Sequence, residues 1–501
     1  MSTLFPDAPR TRFLELTNEE WAILLLGSTV TVAGLAASRD DVGFWPALGI
    51  GFTMLVVGHL CLTARRYVAF PDLIASAACL QWIIAPWLSE TYQPTLATFR
   101  MLLPADEYLR YALPATVALW VGLQLPASRR LSKTWEMPDI GFLSSRVQRS
   151  LDLLIVAGLV ADFYVDFAPI QWAFLAYLIS SFRFVGALGW MVTRTPGWQW
   201  RVGFVLVHLT AVQSTGGLFY LVVHWGGYFL LVYAFMKRWR WQMAVALAVG
   251  LIGLSLLQSV KPTLRVSIAE QEVTSPIDSF ERLTTLLWER VRSGQIADPQ
   301  TNPGDALVRF NQGWIISRIL KHVPDEQPYA MGQTISDAVV FSIVPRFLVP
   351  SKLQGSSQKI FTLYTGSELI GGTRMGLGII GEFYANFGQW GGVLGTFVYG
   401  LAIGGIFLFF ADKAQRNPLW WAVASTVLLP SVEPGFNLED ILNHVVKAAI
   451  VLLIVWKLFP PMQRLLAPVQ ADDESDDSSE DHYDSDDDQA SPSFDDAIAN
   501  P

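Results

Sequence analysis

Apolar residues in this chain come in long runs rather than in alternation. Twelve stretches, near residues 21–38, 44–64, 70–88, 108–125, 151–168, 170–192, 200–215, 217–236, 242–260, 390–411, 419–432 and 441–459, are almost free of charge. Most approach the roughly 20 apolar residues a helix needs to cross a hydrocarbon core. Nine of them precede, and three follow, a polar stretch from Lys261 to Met375 whose 115 residues carry 12 Lys/Arg against 11 Asp/Glu. The pattern predicts an all-α polytopic membrane protein with about twelve transmembrane helices and one large, helical external loop. Pro169 and the pair Gly216 and Gly217 mark turns too short for ordinary loops, so the fifth to eighth spans have the least defined limits. The chain therefore divides into an N-terminal segment (1–20), helices one to nine (21–260), the external loop with membrane-boundary helices (261–389), helices ten to twelve (390–460) and a tail (471–501).

Composition removes the soluble alternative. Hydrophobic residues make up 52% of the chain and charged ones 16%, outside the range of a globular enzyme. The net charge of -9 comes from the tail, which holds 13 Asp/Glu and no Lys or Arg; without it the chain carries 35 Lys/Arg against 31 Asp/Glu. Like charges and missing apolar residues predict a disordered tail. Cys61 and Cys79 both fall within apolar runs and read as small hydrophobes, and no HxxEH, CxxC or clustered carboxylates occur, so neither metal nor cofactor is expected. The first 20 residues are polar, with Asp7, Glu15, Glu19 and Glu20, and do not resemble a secretory leader.

Lys/Arg bias predicts orientation. With the N-terminus inside, cytoplasmic segments gather Arg65 and Arg66, Arg129, Arg130 and Lys133, and Lys237, Arg238 and Arg240, whereas the short external loops hold Arg39 and Arg100. Both termini, the tail included, then face the cytoplasm, and residues 261–375 face the outside.

Within the loop, Ser275, Pro276 and Asp278 form a helix-start signature for a run to Arg292 that Gly294 closes. A second helix is predicted from Gly304 to His322. There Trp314, Arg318 and Lys321 share a face, an arrangement that suits a sugar ring joined to phosphate. The same spacing also describes a core tryptophan beside two solvated cations. Lys261 and Arg265 follow the ninth span directly. Arg346 and Lys352 lie in IVPRFLVPSK, between Pro345 and Pro350, and Arg374 precedes GLGIIGEFYANFG. Singly, such cations anchor to lipid headgroups or pair with nearby acids; converging, they would hold a lipid diphosphate.

Charge inside the spans is sparse. Arg183 sits mid-span, where an arginine costs roughly 2.5 to 3.5 kcal/mol unless paired or hydrated, so it should face the bundle interior. Asp152, Asp162 and Asp166 are candidate partners, and a structural ion pair and a cavity role both remain open. His208 and His224 read as packing residues. Gly392, Thr396, Gly400 and Gly404 form a small-residue stripe for helix packing.

The series YALPATVALWVGL (111–123), GGLFYLVVHW (216–225), VKPTLR (260–265), RFNQGWIISRILKHVP (309–324), VPRFLVPSK (344–352) and GEFYANFGQWGG (381–392) resembles the O-antigen or oligosaccharide repeat-unit polymerases, the Wzy type, over residues 70 to 460. The resemblance implies a metal-independent membrane glycosyltransferase of the lipid-linked-sugar type in the bacterial inner membrane. It would join repeat units carried on undecaprenyl diphosphate into O-antigen, capsule or exopolysaccharide. Membrane lipids, a chain-length regulator and a flippase are the implied partners, and nucleic acid is not among them. A hydroxyl of the incoming unit would attack the anomeric carbon of the growing chain and displace lipid diphosphate, so the protein must hold two substrates in register and stabilise the departing charge. On this reading Arg265, Arg318, Arg346 and Arg374 contact the diphosphate with support from Lys261 and Lys352, and Arg183 borders the substrate. Glu382, in an apolar setting, is the candidate base, although a capping or helix-pairing carboxylate fits the position equally. Tyr384 and Asn386 are candidates for sugar hydroxyls or for support of the local turn. An O-antigen ligase would use similar arginines with another acceptor, twelve spans also suit a transporter or flippase, and a non-catalytic scaffold would tolerate loss of every arginine.

Overall fold

The computed structural model of the chain describes residues 16–38, 43–130, 144–215, 219–270, 275–293, 303–308, 310–344, 356–368 and 375–467. Among them there is no strand, and helices lie over all twelve apolar runs. The chain opens with α1 (Asn18–Ser38), α2 (Phe44–Thr63), and α3 (Phe70–Cys79), which passes through a π turn at Leu80–Ile84 into α4 (Ala85–Thr91). Then come α5 (Ala105–Arg130), α6 (Ser145–Val165), α7 (Ile170–Ser180), α8 (Phe182–Val192), α9 (Trp198–Thr215), α10 (Tyr220–Met236) and α11 (Trp241–Ala269). The polar stretch contributes α12 (Pro276–Arg292), α13 (Pro303–Leu307), α14 (Gly313–His322), α15 (Gln333–Ile343) and α16 (Ser356–Thr365). Last are α17 (Ile379–Ala414), α18 (Leu419–Leu428) with a tight turn at Leu429–Val432, α19 (Leu438–Leu458) and α20 (Pro460–Leu466).

Six of these segments are long and apolar enough to cross a membrane: Phe44–Thr63, Phe70–Thr91, Trp172–Val192, Trp241–Ile268, Ile379–Ala414 and Leu438–Leu458. Tyr220–Met236 and Leu419–Val432 are apolar but shorter. Residues such as Ile23, Val160, Phe163, Val249 and Leu394 stand exposed on helix faces that no other described part of the protein covers. A helical membrane protein, whose backbone polar groups are satisfied within each segment and whose outer side chains meet lipid, accounts for both observations.

Small residues set the helix spacing. A Cβ on Gly400 of α17 would lie 2.7 Å from the Leu119 carbonyl of α5, and one on Gly122 of α5 would lie 2.5 Å from the Phe397 carbonyl of α17. The two backbones therefore touch, as the stripe of Gly392, Thr396, Gly400 and Gly404 predicts. Gly400→Val is expected to push α5 and α17 apart and to lower stability by about 3 kcal/mol, the upper range for overpacking. Gly405, five positions beyond Gly400 on the same helix, faces open space where a Cβ would stand, so Gly405→Ala should leave the thermal midpoint in detergent unchanged or raise it slightly. Equal midpoints for the two variants would contradict this packing. A second crossing has the same character: a Cβ on Gly158 of α6 would collide with the Arg183 backbone nitrogen of α8.

In the polar stretch, α12 begins at Pro276 with the Ser275 hydroxyl accepting from the Asp278 N–H at 3.2 Å, as the start signature predicts; Gly294 lies outside the described residues. The helix expected over 304–322 is instead two, α13 and α14. Gly304 is pressed against the backbone of Gln93 and Pro94, and the Gln312 N–H donates to the Gln81 carbonyl at 3.2 Å. The bond to the π turn takes the Gln312 N–H that a continuous helix would need, and Gly304 packs on the backbone that follows α4. The boundary expected at 389–390 coincides with a break inside α17 at Gly388, whose φ of 69° is left-handed, while the Tyr329 hydroxyl occupies the space of a side chain there.

Candidate functional site

The glycine contact between α6 and α8 decides where the mid-span arginine points. Asp162 lies one turn beyond Gly158 on α6, so the close approach at Gly158 brings its carboxylate to Arg183, and Nη1 of Arg183 sits 2.7 Å from Asp162 Oδ1. The same nitrogen donates to the Ser180 carbonyl at 3.0 Å. His208 of α9 approaches the second Asp162 oxygen at 3.9 Å. Asp152, another partner the sequence offers, pairs instead with Arg201 at 2.7 Å. Arg183 is 4% exposed, and its Nε–H has no hydrogen-bond partner among the described residues.

Arg183 borders a cavity of about 510 Å³ between α7, α8, α10, α18 and α19. Its walls are mixed. Phe184 and Trp225, stacked at 3.9 Å between centroids, give an aromatic side, and Phe174, Leu221, Leu429 and Phe436 add apolar surface. Tyr177, Tyr220, His224, Asn437, Asp440, Asn443 and His444 contribute polar groups. The His444 Nε2–H donates to the Thr426 carbonyl at 2.8 Å, and the Asn443 Oδ1 has no partner among the described residues. From Arg183 at mid-span the lining runs to one end of the bundle, over the first two turns of α10 and α19, the last turn of α18, and Met375 with Gly376 just before α17. Lys237 after α10, Arg416 before α18 and Lys457 at the close of α19 mark the other end.

The loop Glu433–Asn437 ties the polar stretch to this end. Asn437 Oδ1 accepts from the Leu377 N–H at 2.7 Å, the Pro434 carbonyl accepts from Ile379 at 3.3 Å, and Gly435 rests against the Gln312 side chain. Glu382, 5% exposed, accepts from the Leu438 N–H at 2.9 Å through Oε2, and so supports the first turn of α19 from a neighbouring helix. That is the helix-pairing role, and Glu382 is not part of the cavity wall.

The other residues singled out from the sequence are dispersed. Trp314 is 2% exposed and packs edge-on to Phe99 at 5.2 Å and beside Phe361 at 6.2 Å, so its ring belongs to a core rather than to a sugar platform. Arg318 donates to the Thr98 carbonyl at 2.7 Å and to the Ser367 hydroxyl at 3.2 Å, and partial burial holds its guanidinium below the ordinary arginine pKa. Lys321 is exposed on α14, and Arg265 is exposed on α11 beside the buried Lys261. Arg346, Lys352 and Arg374 lie outside the described residues. Asn386 is fully buried and holds a turn: its amide donates to Thr334 at 2.7 Å and to the Glu382 carbonyl, and its oxygen accepts from Gly332 at 3.0 Å. Tyr384 is half-buried, at 4.9 Å from Tyr111 and 6.3 Å from Tyr329.

Sequence reasoning passes over the cavity's polar residues on α19, yet they carry a signal. Asp440, Asn443 and His444, with Lys447 outside the lining, recur at three- and four-residue spacing ahead of a run that is apolar from Ala448 to Trp456. No protein-family model, characterised protein or solved structure matches this chain.

Proposed function

We propose that this chain is a membrane glycosyltransferase that polymerises undecaprenyl-diphosphate-linked oligosaccharide repeat units, and that the cavity beside Arg183 receives the lipid diphosphate. The observation that carries the reading is the buried guanidinium: it borders a cavity of about 510 Å³ and has an N–H without a partner among the described residues. Arginine keeps its charge at any working pH and matches phosphate oxygens in pairs. The proposal takes all twelve helical runs as spans with both termini cytoplasmic. Basic residues then mark the cytoplasmic ends of α10, α18 and α19, and the cavity lies on the side of Arg183 toward the outer face, where lipid-linked repeat units are joined.

In the proposed reaction a hydroxyl of the incoming unit attacks the anomeric carbon of the chain, and the glycosidic oxygen leaves with the lipid diphosphate. Arg183 stabilises the charge that collects on the leaving group, and a low-dielectric setting strengthens that effect. The stacked Phe184 and Trp225 give an apolar wall suited to a sugar face. A second reading, a transporter of lipid-linked glycans, draws support from one feature: the cavity and the Arg183–Asp162 pair lie within the helical bundle rather than in the polar stretch.

Purified protein incubated with lipid-linked repeat units separates these. Longer glycans on the lipid carrier are the expected product. Movement of the substrate across proteoliposomes without elongation would favour the transporter, and transfer to a different acceptor would favour a ligase.

A further inference from the structure

A second hollow lies on the side of the bundle rather than within it. Pro114, Val117 and Val121 of α5 stand across from Trp390, Leu394 and Phe397 of α17, in an open groove of about 660 Å³ whose lining is wholly apolar or aromatic. Trp390, Leu394 and Val121 are exposed. Along α5 the lining runs from Leu113 to Val121, roughly 12 Å at 1.5 Å per residue, and its last members adjoin the crossing where Gly122 meets the Phe397 carbonyl.

The opposite end of the groove is charged. Glu107 and Arg110 precede Pro114 by seven and four residues, so they continue the groove face of α5 toward its start. Both are exposed. Arg110 Nη2 reaches Asp106 Oδ2 at 3.4 Å, its one ion pair among the described residues, and Glu107 has none there. Asp106 Oδ1 is already engaged: it accepts from the Trp45 N–H at 3.2 Å and so fixes the start of α2, the third helix of the groove, against α5. Trp45 in the first turn of α2 and Trp390 just after the Gly388 break stand at span ends, the level where indole rings settle in a bilayer interface.

We infer that this groove binds one bilayer phospholipid with a phosphoethanolamine headgroup, its acyl chain between α5 and α17, its phosphate on Arg110 and its ammonium on Glu107. Shape favours a bound chain: the groove meets hydrocarbon from two helices at once, whereas an uncovered helix face such as that of Val160 and Phe163 meets it from one side. Charge selects the headgroup. An anionic lipid would face the carboxylates of Asp106 and Glu107 for a single guanidinium, while a headgroup with both signs is matched at each. The groove shares no lining residue with the Arg183 cavity, so its occupancy is independent of the glycosyltransferase reading.

Native mass spectrometry of the full-length protein in detergent, titrated with dioleoyl phosphatidylethanolamine or dioleoyl phosphatidylglycerol, reads both stoichiometry and affinity. One phosphatidylethanolamine per chain should bind, about fivefold tighter than phosphatidylglycerol. Arg110→Ala and Glu107→Gln should each weaken it about fivefold, the worth of one charge at a headgroup. Val117→Phe should fill the groove and abolish binding, and Leu453→Phe on the exposed face of α19 should leave it unchanged. Glu107→Gln changes only an exposed side chain and decides the matter if Val117→Phe does not fold. Equal affinity for the two lipids, wild-type affinity in Glu107→Gln, or equal losses in Val117→Phe and Leu453→Phe would overturn the site. A dimer of this chain that covers the groove and excludes lipid would do the same.

Discussion

Arg183→Ala should destabilise the protein by about 3 to 5 kcal/mol and abolish glycan elongation, and a second substitution should separate the two effects. The destabilisation follows from what is left behind. Arg183 is 4% exposed, its partner Asp162 is also largely buried, and α6 and α8 are in backbone contact at Gly158, so neither helix can retreat to hydrate the carboxylate. An unpaired buried charge is costly, whereas removing both partners of a buried pair is often close to neutral. The double variant Arg183→Ala/Asp162→Asn should therefore recover most of the lost thermal midpoint in detergent. It should recover none of the elongation, because the cation beside the cavity is still missing. Arg183→Lys keeps the charge without the paired N–H geometry and should retain only a part of the activity. Long glycans made by the double variant would show that the pair serves the fold alone and would remove the main support for the diphosphate site.

How far the sequence anticipates this arrangement depends on the range of the interactions involved. Helices over the twelve apolar runs follow from local composition, and the Ser275 cap with Pro276 at the first turn of α12 is a signal contained within four residues. The interruption between α13 and α14 is not local. It arises because Gln312 meets the backbone of Gln81 and Gly304 that of Gln93 and Pro94, more than 200 positions away, which no periodicity within 304–322 encodes. Arg183 illustrates the middle case. Its burial cost requires a partner, and Asp162 is one of three aspartates on the preceding span, but only the approach at Gly158 selects it over Asp152. Trp314 and Arg318 do share a helical face; whether an aromatic face is open or covered depends on Phe99 and Phe361, which come from two other segments. The cavity is the least legible feature. Its wall draws on five helices, and its polar residues look isolated along the chain until α10, α18 and α19 bring His224, Thr426 and His444 to one level.

Asp72→Ala is the second large effect, and it should appear in stability with no counterpart in the cavity. Asp72 is 0% exposed at the opposite end of the bundle, where α2, α3 and α5 meet. Its Oδ1 accepts from His59 Nδ1 at 2.7 Å, Gln124 Nε2 at 2.6 Å and Trp120 Nε1 at 3.4 Å. Its Oδ2 accepts from the Tyr67 hydroxyl at 2.8 Å and lies 3.1 Å from that of Thr63, which it shares with the His59 carbonyl. Thr63 and Tyr67 therefore keep a partner when Asp72 is removed, but His59, Trp120 and Gln124 lose theirs inside a core. Each stranded donor costs about 1 to 3 kcal/mol, so the sum of about 3 to 9 kcal/mol is comparable with the whole stability of a typical domain, and folded protein should be scarce. Asp72→Asn has nearly the same shape and keeps one acceptor oxygen, but its amide turns two hydrogens toward groups that already donate. A loss of about 2 to 4 kcal/mol is expected, enough to lower the thermal midpoint in detergent but not to prevent folding. Elongation per folded molecule should match the wild type in Asp72→Asn, because the cluster and the cavity lie at opposite ends of the bundle. Asp72→Ala protein that folds and melts like the wild type would mean that these donors find other acceptors, and the cluster would then not hold α2, α3 and α5 together.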